Sequence, residues 1–206
     1  MDDEEALNTE EEGGEKLERV NFTFKNGDRY DGQVKDKKKH GRGAYYFKNK
    51  DIYDGLFVEG LFHGKGKYMY SNGDVYEGEF YEGMKSGRGK LSFKGLANTY
   101  EGEFNGNMAE GQGKFIYSNG DMYEGEFLNN KFHGEGIYSY KNGEKYEGTF
   151  KADKKQGVGT YYFLDGRVFK GKWENDILAK DYTNLEVEEE KQEGEDEEDE
   201  DNNNDD

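Results

Sequence analysis

The chain carries few side chains suited to catalysis, and their spacing argues against it. Its three histidines are His40, His63 and His133. A zinc site draws three or four ligands to one point. Each histidine instead precedes the first glycine of a Gly-x-Gly, at Gly41, Gly64 and Gly134. Equivalent positions in successive repeats belong on separate hairpins, so no metal site is expected. Residues 166–172 match the opening of a phosphate-binding loop, but Trp173 stands where Ser or Thr must follow. No strand–loop–helix pattern surrounds it. No nucleophile with a paired base can be picked out of the sequence. Cysteine is absent, which removes disulfides and thiolate ligands. The acidic runs lack the spaced Asp, Gly and Glu of a calcium loop. The expectation is a chain that is not an enzyme, with no catalytic residue, no metal and no cofactor.

Two basic clusters remain, Lys37-Lys38-Lys39 and Lys154-Lys155. They read as loop residues that would meet an anionic phospholipid or an acidic partner. Lipid-binding clusters gather about four to eight charges, so a solvated loop is the plainer reading. The net charge of −18 is unevenly divided. Residues 1–20 hold nine acidic and two basic side chains, and residues 186–206 hold fourteen and one. The body between them is close to neutral, which disfavours nucleic acid. Such dense like charge stays solvated, so disordered acidic segments are expected over 1–19 and 186–206.

The elements that would position these residues form a repeat. An aromatic-x-Gly triplet begins at Tyr30, Tyr53, Tyr76, Tyr100, Tyr123, Tyr146 and Phe169. The spacing is 23 residues, with one step of 24. A Gly-x-Gly follows each of the first six, and most units close on Asn-Gly or Asp-Gly, as at Asn72-Gly73 and Asp165-Gly166. Alternation along Tyr76-Glu77-Gly78-Glu79-Phe80 puts two rings on one face and two carboxylates on the other. After a loop through 81–86, the second strand adds Leu91 and Phe93. The same offset gives Tyr45/Phe47, Tyr68/Tyr70, Phe115/Tyr117, Tyr138/Tyr140 and Tyr161/Phe163. Asn-Gly favours tight hairpins in which both central residues have positive φ. Only 31% of residues are hydrophobic, yet 16% are aromatic. The fold therefore rests on rings rather than aliphatic bulk.

The expected fold class is all-β: an elongated antiparallel meander in a single-layer twisted sheet. The array spans 20–175, with units starting near 30, 53, 76, 100, 123 and 146 and a partial unit at 169. Ile177, Leu178, Tyr182 and Leu185 are expected to form a short helical cap over 176–185, because repeat arrays need end covers. The extra residue in Gly95–Thr99 predicts a local irregularity. The acidic start Met1–Glu5 lacks an apolar run, so no secretory signal is expected. No apolar stretch reaches the ~18 residues of a membrane helix. A soluble chain in the cytoplasm, or in the nucleus, follows as an expectation.

Units such as Tyr123-Glu124-Gly125-Glu126-Phe127 with His133-Gly134-Glu135-Gly136 resemble the MORN repeat family. The resemblance covers residues 21 to about 175, although Trp, frequent at the fifth position in that family, occurs here only as Trp173. It implies ribbons of β-hairpins with an aromatic groove. It also implies a scaffold role, often in cilia, flagella or membrane-associated cytoskeleton, with a radial spoke head-type component as the nearest analogy. Six tyrosines are the expected partner-binding groove: Tyr68, Tyr76, Tyr100, Tyr117, Tyr123 and Tyr138. A single-layer sheet cannot cover both faces, so rings stay exposed unless a partner, a second copy as in a homodimer, or the ribbon's own curl covers them. The alternative is a peripheral membrane module that binds anionic phospholipid through the basic loops.

Overall fold

The computed structural model describes residues 6–12 and 15–183, and every regular element among them is a strand. In chain order these are β1 (Ala6–Glu12), β2 (Glu15–Thr23), β3 (Arg29–Lys35), β4 (Lys38–Tyr46), β5 (Ile52–Val58), β6 (Leu61–Met69), β7 (Val75–Tyr81) and β8 (Met84–Phe93). They continue as β9 (Asn98–Asn105), β10 (Met108–Ile116), β11 (Met122–Leu128), β12 (Lys131–Ser139), β13 (Lys145–Lys151), β14 (Lys154–Tyr162), β15 (Val168–Glu174) and β16 (Ile177–Asp181). Each pairs antiparallel with its sequence neighbours, giving one open sheet of sixteen strands in sequence order.

The two kinds of turn are the reverse of the sequence expectation. The tight two-residue turns lie inside each unit. Glu82 and Gly83 have φ of 48° and 86°, and Asn129 and Asn130 have 52° and 64°. Both central residues are left-handed, the geometry whose twist suits paired strands. The loop expected over 81–86 is therefore only two residues long. In the Asn-Gly turns only the glycine is left-handed, as at Gly73 with φ 89°. The Asn72 side chain instead accepts the Asp74 N–H at 2.9 Å. The Gly73 N–H bonds back to the Tyr70 carbonyl at 2.8 Å, and a three-residue loop results. Asn is common in both geometries because its amide bonds locally. The extra residue of the fourth turn sits in Lys94–Ala97, where Ala97 has φ 52°.

The core occupies one face. Tyr76 lies flat on the Gly78–Gly89 backbone pair, and its hydroxyl donates to the Glu79 carbonyl at 2.8 Å. A Cβ on Gly89 would come within 2.5 Å of the Tyr76 ring. That close approach is why aromatic-x-Gly and Gly-x-Gly recur in phase. The Tyr76 ring then meets Phe80 at 5.1 Å and Phe104 of the next unit at 5.0 Å, both edge-to-face. Tyr53 repeats the pattern with Phe57 and Phe80, and Tyr123 with Phe127 and Phe150. Such pairs contribute about 0.5–1.5 kcal/mol each beyond area burial. The chain of contacts passes from unit to unit without a second layer.

Both ends differ from expectation. Residues expected to be disordered within 1–19 include β1 and the start of β2, which pair from Ala6↔Val20 to Glu12↔Glu15. β2 in turn covers the edge of β3, and Leu17 is buried. Backbone pairing on an open edge needs no apolar side chains, so the charge count missed it. The expected helical cap is also overturned: Ile177–Asp181 is strand β16, paired with β15. Asn175 and Asp176 have φ of 51° and 72°, the same tight turn as in every unit, and Leu178 packs against the core. The repeat therefore continues one strand further instead of ending in a helix. Residues 1–5, Leu185 and the acidic segment 186–206 lie outside the described residues.

Candidate functional site

On the core face the rings form two parallel rows. One is buried and comprises Tyr30, Tyr53, Tyr76, Tyr100, Tyr123 and Tyr146 with their Phe or Trp neighbours. The other is half-buried and runs beside the Asn-Gly turns. Its first half passes Phe24–Tyr45 (5.8 Å), Tyr45–Phe47 (4.7 Å), Phe47–Tyr68 (5.7 Å) and Tyr68–Tyr70 (4.5 Å). Its second half passes Phe93–Phe115 (6.2 Å), Phe115–Tyr117 (4.7 Å), Tyr117–Tyr138 (6.1 Å), Tyr138–Tyr140 (4.8 Å) and Tyr140–Tyr161 (5.8 Å). Leu91 stands between the halves, where the other units have a ring.

The six tyrosines expected to form one groove divide between these rows. Tyr76, Tyr100 and Tyr123 are 0%, 3% and 0% exposed and cannot present a surface. Tyr68, Tyr117 and Tyr138 belong to the half-buried ladder. Alternation places all six on one face, but only a tyrosine two residues before a glycine can fold flat and be capped by the next unit's Phe. The ladder also holds Tyr45, Phe47, Tyr70, Phe93, Phe115 and Tyr140, which the groove expectation left out. Distance from the glycine pair was the signal that separates the rows.

Acidic residues at the turns brace the ladder. Tyr45 donates to Asp28 at 2.7 Å, Tyr68 to Asp51 at 2.9 Å, Tyr138 to Asp121 at 3.2 Å and Tyr161 to Glu144 at 2.9 Å. Three of these carboxylates, Asp28, Asp51 and Asp121, also accept a backbone N–H of the next turn, from Lys48, Ser71 and Lys141 respectively. The Tyr45 hydroxyl and the Lys48 N–H hold the Asp28 carboxyl below its usual range. For Asp121 the Lys141 N–H is the main cause. Burial opposes the shift at Asp51, yet the bonds from Ser71 and Tyr68 still leave it lowered. Burial, then Asp28, pushes the Tyr45 hydroxyl up to about 12.

The lysine clusters do not act as clusters. Lys37 lies exposed in a tight turn, and Lys38 pairs with Glu59. Lys39 turns to the other face, its ammonium 4.2 Å from the Tyr45 ring centre and 5.5 Å from that of Phe57. Lys154 is exposed, whereas Lys155 sits 5.0–5.4 Å from Tyr140, Tyr146, Tyr161 and Trp173 and donates to the Tyr140 hydroxyl at 2.8 Å. Lys85 occupies the same repeat position against Tyr70, Tyr76 and Phe104. Phe62 and Phe132 take that position in other units and stack on Tyr53 and Tyr123, each at 3.8 Å.

The histidines lie at separate hairpins. His63 leans on Tyr81 at 5.4 Å, and the buried His40 Nδ1 has no hydrogen-bond partner. Among the described residues no group of three or more His, Cys, Asp or Glu could hold a metal ion. No helix among them is long and apolar enough to cross a membrane.

No individual curated protein matches the chain. Among solved structures it is similar to the Drosophila melanogaster SAS-4 TCP domain, in complex with a proline-rich motif of Ana2. The identity is 13% and the TM-score 0.44, over 64% of this chain and 73% of that one. It is also similar to a catalytically inactive virginiamycin B lyase from Staphylococcus aureus with quinupristin. There the identity is 13% and the TM-score 0.18, over 83% of this chain and 59% of that one. At these TM-scores neither likeness informs function. The MORN repeat matches residues 30–52, 53–75, 76–95, 100–122, 123–145 and 146–166, more than half of the sequence. These six matched units, each a glycine-paired hairpin on the same ring row, place the chain in the MORN repeat family, whose repeats suggest a module for binding protein or lipid.

Proposed function

We propose that this chain is a non-catalytic scaffold that holds a protein segment of a cytoskeletal assembly against its half-buried ring ladder. The assembly is ciliary on the resemblance to radial spoke head-type chains. One observation carries the reading: a partly open row of rings recurs in unit after unit, beside a buried row that already supplies the core. Exposed aromatic surface with polar handles is the usual material of protein interfaces. The lipid alternative draws less support, because Lys38 is paired and Lys39 and Lys155 fold onto rings.

The test is partner capture from ciliated and non-ciliated cells with folded Tyr70→Ser/Tyr117→Ser and Lys37→Glu/Lys38→Glu variants. The scaffold reading expects the tyrosine variant to lose its specific partners and the lysine variant to keep them. Loss of localisation with the lysine variant alone would move the lipid reading to first place. Capture confined to non-ciliated cells would remove the ciliary assignment.

A further inference from the structure

We propose that the ladder binds a partner segment in the polyproline II conformation that carries acidic residues, laid across the strands. The inference rests on the protein-binding reading above and adds the chemistry of the partner.

The pitch of the array is the first argument. Neighbouring strands are about 4.8 Å apart, so equivalent rings in successive two-strand units recur at roughly 9.6 Å. A polyproline II helix repeats every three residues with a rise of about 3.1 Å, or roughly 9.3 Å per turn. It therefore offers the same face to each unit, drifting by only ~0.3 Å per step. An α-helix repeats at about 5.4 Å per turn, and a β-strand returns to one face after about 6.6 Å. Neither keeps step with the rings.

Surface chemistry is the second argument. Polyproline II has no internal hydrogen bonds, so its carbonyls need donors. Among the described residues, the Tyr70 and Tyr117 hydroxyls make no side-chain bond, unlike Tyr45, Tyr68, Tyr138 and Tyr161, which donate to carboxylates. Tyr70 and Tyr117 occupy the same repeat position two units apart, with Phe93 between them. Pro–aromatic contact with spaced donors is how aromatic grooves read such segments.

Charge complementarity is the third. Lys39, Lys85 and Lys155 place ammonium groups against ladder rings at Tyr45, Tyr70 and Tyr140. They sit two and three units apart, which corresponds to six and nine residues of a polyproline II segment. Lys85 forms no ion pair among the described residues, and burial pushes its ammonium down from the usual lysine range. A partner carboxylate would relieve that cost. The occupant we assign is a proline-rich acidic segment of another chain; this sequence itself contains no proline.

The experiment measures binding of three fluorescent peptides to the full chain: (Pro-Pro-Glu)4, (Pro-Pro-Gln)4 and (Ser-Ser-Glu)4. The proposal expects (Pro-Pro-Glu)4 to bind at least tenfold tighter than (Ser-Ser-Glu)4. It expects Lys85→Gln to weaken (Pro-Pro-Glu)4 several-fold while leaving (Pro-Pro-Gln)4 unchanged. Tyr70→Phe/Tyr117→Phe, which keeps the rings and the fold, should weaken both proline peptides several-fold. Equal binding of the two acidic peptides would overturn the proposal, because charge alone would then suffice. No binding of either, with ladder-dependent partner capture intact, would overturn the polyproline II assignment and leave the scaffold reading standing. Capture that ignores the ladder variants would overturn both.

Discussion

The buried ring row and the half-buried ladder share one face of one sheet, yet they do different work. In the buried row every tyrosine lies on a glycine pair and meets the Phe or Trp of its own unit or the next. In the ladder the rings touch one another at 4.5–6.2 Å and are braced by carboxylates at the turns. The first row replaces the second layer that a sheet ordinarily requires. The second row is what that solution leaves partly open. On the proposed function, the array separates stability from recognition within a single layer, by the distance of each ring from the glycine pair.

The largest effect should come from the buried row. Tyr76→Ala removes a fully buried ring and is expected to cost on the order of 3–5 kcal/mol, read by denaturant unfolding. Tyr117→Ala, in the ladder, should cost about 1 kcal/mol while abolishing partner capture. Equal destabilisation by the two would erase the distinction between the rows.

Lysines sharpen it further. Lys155→Gln withdraws an ammonium from four rings and should cost about 1 kcal/mol. Its neighbour Lys154→Gln should fall within about 0.5 kcal/mol of the unmodified chain. Matching thermal shifts for the two variants would mean that the ring contacts of Lys155 contribute nothing.

The smallest effect per residue is the pH response of the ladder braces. Asp28, Asp51 and Asp121 have folded-state pKa values below the ordinary carboxylate value of about 3.9. Their contribution is therefore present above that value and is lost as pH falls through the depressed ones. Melting temperature should drop more steeply below about pH 4 in the unmodified chain than in Asp28→Asn/Asp51→Asn/Asp121→Asn. Parallel curves would remove the braces from the account.

Much of this was legible in the residues. Phased Tyr-x-Gly and Gly-x-Gly revealed the hairpins, their antiparallel order and the aromatic face. Turn assignment failed because Asn-Gly suits both a two-residue and a three-residue loop, whereas pairs such as Ala152-Asp153 carry no strong turn signature yet are left-handed at both residues. The ends failed because strands β1 and β16 are recruited by open edges, which composition does not report. The site was half legible. Face alternation found the rings, but it cannot say which of them fold onto glycine and vanish from the surface. Lys85 was missed because its role depends on the rings around it and not on neighbouring lysines.

The central claim is that the ladder, and not the buried row, meets the partner. Oxidative footprinting of the tyrosines, free and in a captured complex, tests it most directly. The account predicts that Tyr70, Tyr117 and Tyr140 react in the free chain and become protected in the complex, while Tyr53, Tyr76 and Tyr123 stay unreactive in both. Ladder tyrosines that react equally in both states, with protection appearing instead at the exposed Tyr81 on the opposite face, would contradict it.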